Sequence, residues 1–238
     1  MARPRKFDEG EVLRAARDQF WSTGYAGTSV DDVLTATGLG KGSLYGAFGD
    51  KHQLFLRVFD GYCTDLVDQV RQSLDGPDST AYDRLWSLVM ATVAATAGDT
   101  AHCGCLLANG TAELAGQDPA VAARALRTFE DLEDLLVGCL EKAKRHGDIE
   151  PDADPRALAG LLLAVLRGIE ALGKAGKSEA SLRGIAAAAL DTLPRPQRTP
   201  SADATQPDQH SGLAMPATMS VAWRAGSARI GTAVRPLH

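Results

Sequence analysis

Apolar residues recur along this chain at three- and four-residue spacing and almost nowhere alternate with polar ones, so the pattern predicts an all-α protein. A first helix starts after Asp8, with Glu11 three residues on as a capping-box partner. It buries Val12, Ala16 and Phe20 on one face and is expected to end at Gly24. A second begins at Ser29, an N-cap with Asp32 at its third position, and carries Val30, Val33 and Leu34 as far as Thr37. After the short Gly38-Leu39-Gly40 turn comes a third helix, from Lys41 to Phe48, polar except at Leu44 and Phe48. These two are four apart and share one face, so the other face is left to solvent or a partner.

Gly49 and Asp50 separate this unit from a long helix, Lys51 to Ser73, striped by Leu54, Phe55, Val58, Phe59, Tyr62, Leu66 and Val70. Further helical segments are predicted over 79–97, 104–116, 118–146, 155–174 and 178–192, separated by Gly, Pro and Asp breaks. From Pro194 the composition turns to Pro, Ser, Thr, Ala and Gly without helical period, and disorder is expected. The division is therefore a small N-terminal domain over 1–50, a helical body over 51–193 and a tail over 194–238.

Length changes the picture little: 238 residues suffice for a substantial core. The longest apolar stretch, Ala157 to Leu166, is stopped by Arg167, well short of the roughly 18 residues a membrane span needs. The basic start Met-Ala-Arg-Pro-Arg-Lys has no apolar segment behind it, which points to the cytoplasm. Net charge is −5, yet it divides unevenly. Residues 1–60 carry eight Lys/Arg and eight Asp/Glu, whereas residues 61–193 carry twelve and twenty. An acidic total does not exclude nucleic acid, because phosphates respond to charge within a Debye length of roughly 8–10 Å.

Two short helices joined by a tight Gly-containing turn, the second too polar to be core, have the form of a helix-turn-helix. The first braces against the DNA backbone while the second offers its polar face to the major groove. The run Gly-Thr-Ser-Val-Asp-Asp-Val-Leu-Thr-Ala-Thr-Gly-Leu-Gly-Lys-Gly-Ser-Leu-Tyr-Gly-Ala-Phe-Gly-Asp-Lys over residues 27–51, followed by Leu54-Phe55, resembles the N-terminal domain of the TetR/AcrR family. The resemblance is strong over about residues 6–66. It implies that Thr28, Ser29, Lys41, Gly42, Ser43, Leu44, Tyr45, Gly46, Ala47, Phe48 and Lys51 form the DNA-binding site. The chemistry agrees: Lys41 and Lys51 are cations, Thr28, Ser43 and Tyr45 carry hydroxyls, and the Gly42 amide can approach a phosphate. Where the family often has a large polar residue this chain has Gly46, then Ala47, which leaves more to Ser43, to a methyl contact from Ala47 and to DNA shape. Arg3, Arg5 and Lys6 either reach along the DNA as an arm or stay solvated.

Leu158, Leu161, Leu162, Leu166 and Ile169, then Leu182, Ile185, Ala189 and Leu190, make the last two helices apolar on more than one side. In the family such helices pair across a two-fold axis. The resemblance therefore implies a homodimer on a palindromic double-stranded operator, released by a small-molecule effector bound in the body. Trp86, Met90, Phe129 and Leu136 are core or pocket candidates, and Asn109, Glu113, Arg124 and Arg167 are polar anchors or surface pairs. No cofactor or metal is implied. His102-Cys103-Gly104-Cys105 lacks a second ligand cluster, and its remaining alternatives are a thiol sensor or a plain turn entering a buried helix. No nucleophile elbow, phosphate loop or dinucleotide fingerprint appears, so an enzyme is not expected.

Overall fold

The computed structural model describes residues 7–196, and among them the chain forms nine α-helices and one 3-10 turn, with no strand. The helices are α1 (Glu9–Gly27), α2 (Val30–Thr37), α3 (Lys41–Phe48), α4 (Lys51–Leu74), α5 (Ala81–Ala97), α6 (Leu106–Leu114), α7 (Pro119–His146), α8 (Pro155–Lys174) and α9 (Glu179–Asp191). Arg3, Arg5 and Lys6 lie outside the described residues, as does most of the segment expected to be a tail. The described body continues a little past Leu193. The Pro194 carbonyl accepts from the Glu150 amide at 2.8 Å, and the Arg195 guanidinium lies 4.3 Å from the centre of the Tyr82 ring.

Short-range capping chemistry sets most boundaries. Asp8, Ser29, Asp50, Asp118, Asp154 and Ser178 each accept a backbone amide from the first turn of the helix that follows. Pro119 and Pro155 stand at helix starts, where the missing N–H costs nothing. Two boundaries differ from the sequence expectation. Gly24 (φ 75°, ψ 173°) breaks α1 without ending it, and helix resumes through Gly27. Helix α6 starts at Leu106, because His102 (φ 52°) and Gly104 (φ 67°) hold the preceding turn in the left-handed region.

Two hydrophobic cores result. The lower one joins Val12, Ala16 and Phe20 of α1, Val33 of α2, and Leu44 and Phe48 of α3 to Leu54 through Val67 of α4. It runs on without interruption into Leu106 and Leu107 of α6 and Val121, Ala125 and Leu132 of α7. The upper one gathers Leu74, α5, the second half of α7, α8 and α9. Leu136 belongs to the upper core, and Met90 and Phe129 are partly buried against one core or the other. Trp86 is 41% exposed, since it stands one position off the buried Leu85, Leu88 and Val89 stripe.

Close approach between helices depends on two glycines. A Cβ on Gly110 would lie 2.7 Å from the Phe59 ring, and one on Gly173 would lie 2.0 Å from Thr96 Cγ2. Gly61, exposed on α4, has nothing within 4 Å of such an atom. Gly173→Ala is expected to lower stability by about 1–3 kcal/mol through overpacking. Gly61→Ala should raise it by about 0.5–1 kcal/mol through helix propensity. Urea midpoints of the two variants moving in the same direction would contradict this packing.

Candidate nucleic-acid interface

The interface is built on α2, the turn after it and α3. Ser29 and Asp32 close a reciprocal capping box: Ser29 Oγ accepts from the Asp32 amide at 3.1 Å, and Asp32 Oδ2 accepts from the Ser29 amide at 2.8 Å. Ser29 Oγ also donates to Asp32 Oδ2 at 2.7 Å, and this hydroxyl holds the Asp32 carboxyl below its usual range. Gly38, at φ 68°, ends α2 in the left-handed conformation that only glycine adopts freely, and its amide returns to the Leu34 carbonyl at 2.9 Å.

Helix α3 follows, and its eight residues divide cleanly between two faces. Leu44 and Phe48 are buried, and the Phe48 ring is flanked by Phe7, with centroids 6.1 Å apart, and by the Arg57 guanidinium at 5.0 Å. Their part in DNA contact is therefore to anchor the helix. Lys41, Gly42, Ser43, Tyr45 and Gly46 are exposed, and a Cβ on Gly42 or Gly46 would meet nothing within 4 Å. Ala47 is half-buried against the core, so only part of its methyl faces outward. Gly40 supplies no side-chain cap to α3, and the first intrahelical bonds run from Ser43 and Leu44 to the Gly40 carbonyl. The helix thus offers the amides of Lys41 and Gly42 at its positive end, beside the Lys41 ammonium.

Thr28 and Lys51 are placed differently from the α3 residues. Thr28 is buried, and its hydroxyl donates to the Gly24 carbonyl at 2.6 Å. Lys51 Nζ donates to the carbonyls of Tyr25 at 3.0 Å and Thr28 at 2.8 Å, and sits 4.2 Å from the centre of the Tyr25 ring. An ammonium has three donors, so one remains for a phosphate after these two bonds. The Tyr25 contribution has no local sequence signal, because its partner is provided by the following domain.

The two neighbouring cysteines occupy unlike settings. Cys105 is buried, with the Tyr62 hydroxyl donating to its Sγ at 3.5 Å and Arg167 Nη1 donating at 3.1 Å. Arg167 also pairs with buried Glu170 at 3.1 Å. Burial pushes the Cys105 thiol up, the nearby Glu170 adds to this and Arg167 opposes it; burial likewise raises Cys103. A thiol held protonated is a poor nucleophile, so nothing in this setting favours the thiol-sensor alternative over a buried structural role. Asn109 bonds to the Cys103 carbonyl at 2.7 Å, and Arg124 ties α7 to Asp60 and Thr64 of α4.

A braced first helix, a glycine turn and a second helix with a bare polar face define a helix-turn-helix DNA-binding protein carrying a helical body. Comparison with known proteins agrees. The family profile for bacterial regulatory proteins of the tetR family matches residues 12–58, and that for the tetracyclin repressor-like C-terminal domain matches residues 81–189. The chain is 31% identical over 163 residues to the uncharacterized HTH-type transcriptional regulator YezE of Bacillus subtilis, covering 68% of this chain and 84% of that protein. It is 27% identical over 192 residues to the HTH-type transcriptional repressor ComR of Escherichia coli, covering 81% and 91%. Among solved structures, the TetR family regulator CifR in complex with a 26-base-pair operator matches with a TM-score of 0.72 and 29% identity, over 81% of this chain and 100% of that one. The chain belongs to the TetR family. It is a DNA-binding transcriptional regulator and not an enzyme.

Lys51→Ala removes two charge-assisted bonds and leaves two carbonyls of the α1–α2 corner without this partner. The expected cost is about 1–3 kcal/mol of unfolding free energy, read as a lower urea midpoint. An unchanged midpoint would show that the ammonium does not hold this corner in solution.

Proposed function

We propose that this regulator is a repressor that binds a palindromic operator as a homodimer in the cytoplasm and releases it when a small-molecule effector occupies the helical body. The observation that carries the DNA-binding half is the outward face of α3, on which Lys41, Ser43 and Tyr45 stand exposed between two glycines that obstruct nothing. Lys41, the Gly42 amide and the Tyr45 hydroxyl are assigned to phosphates, and Ser43 and the bare backbone around Gly46 to base edges. Thr28, Ser29 and Lys51 hold the corner that aims them. The sign of regulation follows relatives such as ComR, which is named as a repressor.

The dimer reading rests on α8 and α9. Exposed Ala157, Leu161, Ala164, Ala171 and Leu172 form an apolar strip along α8, with Gly168 in its line, and α9 adds exposed Gly184, Ala187 and Ala188. Small residues at these positions let two copies approach closely, and a two-fold axis there would place the recognition helices on half-sites about one turn, ~34–36 Å, apart. Among the described residues no helix is long and apolar enough to cross a membrane.

Selection of bound fragments from a random duplex pool, followed by sedimentation of the complex, tests both halves. A palindromic consensus bound by two chains is expected; enrichment of an asymmetric sequence by one chain would reject the dimer. Lys41→Ala should weaken binding to all duplexes and reduce the log-log salt slope by roughly 0.9 for the one phosphate lost. Gly46→Ala adds a methyl to open space. It should leave the thermal midpoint unlowered while altering which sequences are enriched, and an identical consensus would remove that position from the groove.

A further inference from the structure

The break at Gly24 turns the next two backbone amides toward the body of the protein. The Tyr25 amide donates to Glu113 Oε2 at 2.9 Å and the Ala26 amide donates to Glu113 Oε1 at 2.7 Å, so one carboxylate on α6 accepts from both. Gly24 is required for this approach, since a Cβ there would lie 3.0 Å from Glu113 Oε2. Lys51, on α4, takes the carbonyls at the other end of the same turn. The short segment that feeds Thr28 and Ser29 into α2 is therefore gripped at its amide end by a body carboxylate and at its carbonyl end by an ammonium.

This grip differs in kind from the rest of the junction between α6 and the DNA-binding unit. Elsewhere Leu106, Leu107 and Gly110 meet Phe20, Phe55 and Phe59, an apolar contact that resists separation but does little to fix direction. Two parallel bonds to one planar carboxylate fix both distance and orientation. The pair also lines an open cleft of about 480 Å³ that Trp21, Asn109 and Lys174 help to form, so its bonds are not sealed in the core.

We propose that Glu113 is a positioning residue for operator binding: its carboxylate sets the pose of the α1–α2 corner, and hence of α3, relative to the body, and passes movement of α6 to the DNA-binding unit. The proposal predicts a defect in specific recognition without a general loss of fold.

The test uses full-length protein carrying Glu113→Gln, which keeps the shape but turns one acceptor into an N–H donor facing a backbone N–H. Operator affinity is expected to fall tenfold or more. Affinity for a random duplex and the salt slope should stay as in the wild type. Hydrogen exchange should quicken in the peptide spanning residues 21–30 and not in α5 or α8. Leu85→Ala, a core truncation in α5, serves as the stability control. Operator affinity within twofold of wild type would overturn the proposal, as would unchanged exchange in residues 21–30. It would equally fall if Leu85→Ala at a matched loss of thermal midpoint weakened operator binding as much as Glu113→Gln.

Discussion

Helix α4 has to satisfy two hydrophobic cores with a single stripe, and the arrangement of everything else follows from that. Leu54, Phe55, Val58 and Phe59 complete the core of the DNA-binding unit, while Leu74 at the far end enters the core of the body. A rigid rod that is apolar in both places cannot shift in one without straining the other, because packed interiors yield little. The lower core also takes in α6 and the first half of α7, so the division near residue 50 marks a change of role along the chain with no gap in the packing. The DNA-binding unit is in this sense half-built by the body, and a change in the body reaches α2 and α3 through side chains in contact.

What the sequence made legible was local. Caps at Asp8, Ser29, Asp50, Asp118, Asp154 and Ser178 lie within three residues of the amides they satisfy, so side chain and position together announce them. The Lys41–Phe48 helix and its two-faced character were readable from the spacing of Leu44 and Phe48 alone. Gly24 was readable as a break, but not as a kink with helix beyond it. The continuation is held by Glu113 and Lys51, which stand far along the chain, and nothing in their neighbourhood signals a partner at residues 25–28.

The same limit applies to the site. Its exposed members on α3 were legible because exposure there follows from helical period. Thr28 and Lys51 were legible as members of a motif but not in their geometry: one hydroxyl turns inward and one ammonium is largely occupied by carbonyls. Gly110 and Gly173 carried no signal of function or packing, since only the position of Phe59 or Thr96 on another helix makes a hydrogen necessary there. Cys105 drew attention through its spacing from Cys103, whereas its surroundings, Tyr62, Arg167 and Glu170, come from two other helices.

The two open glycines in α3 bear on how the protein searches DNA. Eight residues is below the length, roughly 12–15, at which an isolated helix is even marginal in water. Gly42 and Gly46 each lower helicity by a further ~1 kcal/mol relative to alanine. The reading element is therefore soft, kept helical chiefly by the burial of Leu44 and Phe48, and it stands on a stiff scaffold. Such an element adapts to many duplexes at small cost while the protein slides, and it stiffens fully only where the groove returns enough contacts to repay the ordering. Discrimination then resides partly in the entropy of one short helix, so two sites with the same hydrogen-bonding pattern but different groove shapes are told apart by how well they let that helix settle.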